Sequence, residues 1–161
     1  MALPQPRTPR PGAASGEGAV VVGVDGGPSG RAALDVAACD AAGTGADVVA
    51  VHVRRRMTTG ECFAMTAGML CAYAGEWRDD VELQAWLDCV QHLEVRGVRW
   101  RFQAVTGDPV RALCQAAEGV GATAVYAGIR ERGPLAAHLH RCPARDLQQA
   151  SPVRTRLAHY S

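Results

Sequence analysis

The chain has 161 residues, with 17 Lys or Arg against 16 Asp or Glu and a formal net charge of +1. That balance excludes a polyanion-binding surface and an acidic tail, and gives no reason to expect a nucleic-acid partner. A hydrophobic fraction of 48% supports one compact domain whose core is built from small residues.

Residues 1–18 carry Pro, Gly, Arg and Ser without periodicity, and read as a disordered N-terminal tail. They lack the apolar core of a secretory signal, and no run in the chain reaches the roughly 18 residues of a membrane span. A cytoplasmic protein with no membrane partner is the expectation.

Ala19–Val24 is a short continuous apolar run closed by Asp25-Gly-Gly-Pro-Ser-Gly30, the signature of a strand buried on both faces. Ser29 is placed to cap the helix that follows, on which Ala33, Leu34, Ala37, Ala38 and Ala41 share a face; Gly43-Thr-Gly45 stops it. Asp47–Val53 is the second strand and completes a right-handed βαβ unit. Residues 54–76 form an insert whose apolar content suits a cover. From Trp77 to Val95 a helix is predicted, with Trp77, Val81, Ala85, Cys89 and Leu93 at spacing four and Leu83, Trp86, Leu87 and Val90 widening the stripe.

Val98–Ala104 alternates as an edge strand does. Asp108 and Pro109 open a helix with Leu113, Ala116, Ala117 and Val120 on its buried face, and Gly121 ends it. Ala122–Ala127 is a buried strand, 128–140 a loop, 143–150 a short polar helix, and 152–157 a last strand before a C-terminal tail at 158–161. These elements compose one α/β domain over 19–157: a doubly wound, five-stranded parallel sheet in the order 3-2-1-4-5 with helices on both faces.

Six cysteines are scattered with no C-x-x-C pair, so neither a zinc site nor a disulfide framework is indicated. Cys39, Cys89 and Cys114 fall in helical patterns as small apolar residues. His138-x-His140-x-Cys142 reads as a polar loop, and no metal is expected. No Ser-His-Asp or paired-carboxylate arrangement stands out, and no catalytic residue is assigned.

Ligands of open parallel sheets bind beyond the carboxyl ends of the strands, where the two halves of the sheet diverge. Two such ends are informative: Val24-Asp25-Gly26-Gly27 and Ala127-Gly128. Asp25 has two readings there, as a ligand contact or as the residue that stabilises the turn and caps the next helix. Gly26-Gly27 lacks both the dinucleotide fingerprint and the P-loop lysine.

The segments VVGVDGGPSGRAAL (21–34), VVAVHV (48–53), GDPVRAL (107–113) and AVYAGIRERGPL (124–135), in this order and spacing, resemble the universal stress protein family over residues 19–153. The resemblance implies a stress-related, non-catalytic protein that dimerises through its final strand, with a protein partner as the route of output. Many members of the family bind ATP. For a nucleotide the resemblance implies contacts from Val24, Asp25, Gly26, Val53, Ala127, Gly128, Arg130, Gly133, Arg141 and Cys142. The family's phosphate loop reads G-x-x-G, nine residues, then G-S/T; Gly128 supplies its first glycine, but Glu131, Arg141 and Cys142 stand at the other three positions. Glycines there let backbone amides approach phosphate. A carboxylate at about 4 Å from a phosphate oxygen opposes it by about 4 kcal/mol at an effective dielectric near 20. Arg130, Arg132 and Arg141 offset part of that by bidentate hydrogen bonding. The resemblance therefore points to the members that lack the ATP loop, with no cofactor expected, and leaves ATP or AMP on an Arg-bearing loop as the alternative. In the final strand Arg154 and Arg156 make one face cationic, so a dimer through it needs acids on the partner.

Overall fold

The structure is a computed structural model that describes residues 18–54, 71–130, 143–151 and 153–160. Its elements are β1 (Ala19–Val24), α1 (Pro28–Thr44), β2 (Asp47–Arg54), α2 (Cys71–Cys89, continued by a π-helical turn at Val90–Glu94), β3 (Trp100–Thr106), α3 (Pro109–Val120), β4 (Ala122–Arg130), α4 (Pro143–Ala150) and β5 (Arg154–Tyr160). The five strands are all parallel and ordered β3-β2-β1-β4-β5. α1 and α2 cover one face of the sheet; α3 and α4 cover the other.

The central strands explain why their sequences are apolar without alternation. Val20, Val22 and Val24 pack into the core under α1 and α2, while Val21 packs into the second core with Leu113, Val125 and Leu147. α1 lies on the sheet through Gly30, Ala33, Leu34, Ala37, Ala38 and Ala41, as its spacing predicts. Small side chains on that face bring the helix axis close to the strands. Gly45 ends α1 in the left-handed region at φ 72°, donating its N–H to the Ala41 carbonyl. α3 opens as read from the sequence: Asp108 accepts from the Arg111 N–H at 2.9 Å, Pro109 takes the first helical position, and Gly121 closes the helix at φ 59°.

Several expectations are corrected. Gly27, not Ser29, is the N-cap of α1, because Pro28 already occupies the first turn. β4 continues to Arg130, so 128–130 are strand rather than loop. The segment 158–160 is not a tail: it belongs to β5, pairs with Gly128–Arg130, and buries Ala158. α2 starts at Cys71, inside the expected insert, and Arg54 still belongs to β2; residues 55–70 lie outside the described residues, as do 1–17 of the expected tail. On α2 the stripe is narrower than predicted. Ala85, Cys89 and Leu93 are buried, but Val81 and Leu87 are exposed, Trp86 is half-buried, and Asp88 is buried. β3 is shifted to 100–106, and Cys39 is exposed rather than packed.

Ion pairs on its flanks hold α1 in place. On one side Asp40 accepts from the Tyr126 hydroxyl at 2.6 Å and from Arg156, tying α1 to β4 and β5. On the other, Asp35 accepts from His92 Nδ1 at 2.7 Å and from Arg96 at 3.1 Å, and Arg31 faces the buried carboxylate of Asp88, which also accepts from Gln84 at 2.9 Å. Half of the predicted cationic face of β5 is thus neutralised within the chain.

Burial, followed by the hydrogen bond to Asp40 and its negative charge, pushes the Tyr126 phenol up from 10 to about 12. Between those values the unfolded chain releases this proton and the folded chain retains it, so the contribution to stability is complete below pH 10 and is lost as pH rises towards 12. Urea titrations should show stability falling over this interval, with a shallower fall in Tyr126→Phe, which also costs about 1 kcal/mol at neutral pH.

Candidate functional site

β1 remains paired with β2 through Val24 and His52, whereas its pairing with β4 ends at Val22 and Tyr126. The crevice of the sheet opens there, above the carboxyl ends of β1 and β4, the position at which α/β sheets hold ligands. Val24, Asp25, Gly26, Ala127 and Gly128 come together at this edge, and Val53 stands on the adjoining strand with its side chain packed into the second core. The backbone of Arg130 continues β4 opposite Tyr160. Gly133, Arg141 and Cys142, with Glu131, Arg132 and the His138–His140 pair, lie outside the described residues.

Asp25 is exposed but turns inward onto its own helix. Oδ1 accepts the N–H of Gly27 at 2.9 Å and of Gly30 at 3.1 Å, and Oδ2 accepts the Ser29 hydroxyl at 2.8 Å. The N-terminus of a helix carries unpaired amides and a partial positive charge, which suit an anion. Here the anion is supplied by the chain itself. These are the turn-stabilising bonds that the sequence allowed for Asp25.

Two glycines let backbone segments meet around this turn. Gly26 is left-handed at φ 70°, and a Cβ there would stand 2.8 Å from the Val81 carbonyl and 3.4 Å from the Ala85 N–H, so α2 packs directly on the β1–α1 turn. At Gly128 a Cβ would collide with the Ser29 carbonyl, because β4 runs against the first turn of α1. The floor of the crevice is therefore lined by backbone.

His52 and Glu82, which the sequence did not single out for this edge, finish it. A carbonyl only accepts, so the His52 Nδ1–H donates to Val24 O, at 3.0 Å, and the ring stacks on Phe102 with centroids 6.4 Å apart. The imidazole thereby fastens the end of β1 to β2 and β3. Arg54, the end of β2, grips Glu82 of α2 by two hydrogen bonds of 2.6 and 2.8 Å. The one sequence signal for such a clamp is the run of three arginines at 54–56. Among the described residues no cluster of three metal-ligating side chains occurs, and no helix is long and apolar enough to cross a membrane.

The sequence profile of the Universal stress protein family matches residues 18–141. This chain belongs to that family. Solved structures agree with the fold. A universal stress protein in complex with cAMP superposes with a TM-score of 0.68 at 19% identity, over 91% of this chain and 100% of that one. UspA from Lactobacillus plantarum gives 0.64 at 14% identity, over 89% of this chain and 99% of that one. An Archaeoglobus fulgidus universal stress protein in complex with dAMP gives 0.52 at 16% identity, over 86% and 95%. A comparison with curated protein sequences finds no match.

Two substitutions test the geometry of the turn. Asp25→Ala leaves two amides and a hydroxyl without their acceptor and should cost about 1–2 kcal/mol in urea unfolding. Gly128→Ala forces a methyl into the Ser29 carbonyl and should cost about 1–3 kcal/mol, whereas Gly119→Ala, in open space on α3, should be neutral or stabilising.

Proposed function

We propose that this chain is a non-catalytic, regulatory universal stress protein that does not hold ATP in the family manner and acts in the cytoplasm as a homodimer through a protein partner. The hydrogen bonding of Asp25 carries the reading. The α1 amides that face the crevice are committed to a carboxylate of the same chain, and a phosphate would have to displace that charge. The sequence of the following loop supports it, since Glu131, Arg141 and Cys142 replace the glycines and the hydroxyl of the phosphate-binding pattern.

An adenine-nucleotide switch is the second reading, favoured by relatives solved with cAMP and dAMP. Each of those ligands has a single phosphate, which needs fewer backbone amides than a triphosphate. In that reading Arg130, Arg132 and Arg141 grip the phosphate by side chain rather than by main chain.

Calorimetry on the full chain separates the two. Magnesium-ATP should bind no tighter than about 50 μM, equivalent to about −5.9 kcal/mol, and Glu131→Gly should strengthen whatever binding exists. Tight ATP binding by the unmodified chain contradicts the first reading. AMP or cAMP binding that is lost in Arg141→Ala supports the second. Gel filtration at tens of micromolar should give a dimer, and a monomer there would contradict the assembly.

A further inference from the structure

β3 is an edge of the sheet, and its backbone direction follows from two bonds at its ends. The Arg99 carbonyl accepts from the Val48 N–H at 2.8 Å, and the Gly107 N–H donates to the Arg54 carbonyl at 3.2 Å. In a parallel ladder alternate residues face the neighbour. Odd-numbered residues of β3 therefore face β2, and the amides and carbonyls of Trp100, Phe102, Ala104 and Thr106 point away from the sheet. The pairing with β2 is continuous over seven residues with no bulge, and the strand holds no proline. Two common means of blunting an edge are thus missing from it.

The side chains of this edge are chemically sided. Trp100 and Phe102 pack against the core under α1 and α2, while Arg101 projects from the opposite face. An open groove of about 900 Å³ crosses the amino ends of β1, β2 and β3, lined among others by Asp47, Trp86, Glu94, Arg99, Trp100 and Arg101. Two buried polar atoms of groove residues, Trp86 Nε1 and Arg101 Nε, have no hydrogen-bond partner among the described residues, and Arg101 forms no ion pair there, whereas Arg99 is paired with Asp47. Both atoms are closed to solvent, so an added segment would meet Arg101 through the remainder of its half-buried guanidinium, a donor without an acceptor among the described residues that favours a carboxylate.

We propose that the outer edge of β3 is a strand-addition site for an extended peptide segment that alternates apolar and acidic side chains. The segment's main chain pairs with the outward groups of Trp100, Phe102 and Ala104, its apolar residues lie beside Trp100 and Phe102, and its carboxylates meet Arg101. A second copy of β3 does not fit: Trp100–Thr106 contains no acid, so self-pairing supplies no carboxylate in any register. The chain's first 17 residues fit no better, since Pro4, Pro6, Pro9 and Pro11 lack the N–H and Arg7 and Arg10 repel Arg101. This inference rests on β3 alone and stands whether or not the crevice at β1 and β4 takes a nucleotide.

The test uses the full chain and blocked heptapeptides of alternating valine and glutamate or valine and lysine, with binding read by calorimetry. The glutamate peptide should bind at least about tenfold tighter than the lysine peptide, and Arg101→Glu should reverse that order. Ala104→Pro removes an outward N–H without touching the β2 ladder, and should abolish binding of the glutamate peptide with the far-ultraviolet circular dichroism unchanged. Absence of binding by the glutamate peptide, equal binding of the two peptides to the unmodified chain, or undiminished binding to Ala104→Pro each overturns the proposal. So does a dimer that Ala104→Pro dissociates, which would make a second copy the occupant.

Discussion

A helix that points its N-terminus into the crevice of a parallel sheet must find an acceptor for its first amides, and in this chain the acceptor is one residue upstream of the turn. Asp25 receives Gly27, Ser29 and Gly30. The rest of the edge depends on that closed turn. Because it is tight, α2 rests on Gly26 and β4 passes against Ser29 at Gly128. A looser turn would push Asp88 of α2 off Arg31 of α1 and part the strands that define the crevice. The family's fold supplies the crevice, and the local chemistry of five residues decides how much positive potential remains in it.

The flanks of α1 carry the same logic outward. Its buried face is alanine, with Leu34 as the one large side chain, so packing alone fixes its height above the sheet better than its rotation. Rotation is set by polar pairs on both sides: Asp40 with Tyr126 and Arg156, Asp35 with His92 and Arg96, Arg31 with Asp88. The exposed pairs contribute little individually. The Tyr126 hydrogen bond and the Asp88 cluster are buried enough that breaking one partner leaves the other unsatisfied.

Much of the architecture was legible in the sequence because β1 and β2 are valine-rich runs and β1 is closed by turn residues. β1 ends at Val24 since Asp-Gly-Gly cannot continue a strand, and α3 begins at Pro109 because Asp108 and Pro109 are a cap and a first-turn residue together. Reading failed where polar residues are paired by tertiary contacts. Asp88, which lies outside the predicted stripe of α2, is buried with Gln84 and Arg31, while Leu87 of that stripe is exposed. Gly128-Ile-Arg130 looked like a loop but pairs with Ala158–Tyr160, a short Ala-His-Tyr segment that read as a tail. At the site, the gathering of Val24, Asp25, Gly26 and Gly128 followed from topology. What Asp25 does there did not, because a carboxylate before two glycines suits a ligand and a helix cap equally well. Its three short-range bonds to Gly27, Ser29 and Gly30 are those of the turn.

Nuclear magnetic resonance of the Gly27 and Gly30 amides tests the internal capping of α1 most directly. Both protons should exchange slowly with solvent in the unmodified chain and fast in Asp25→Ala, and both should stay unmoved when magnesium-ATP is added in excess. Amides that exchange equally fast in the two proteins, or that move with ATP, would show that the helix N-terminus is open to a phosphate and would contradict the account.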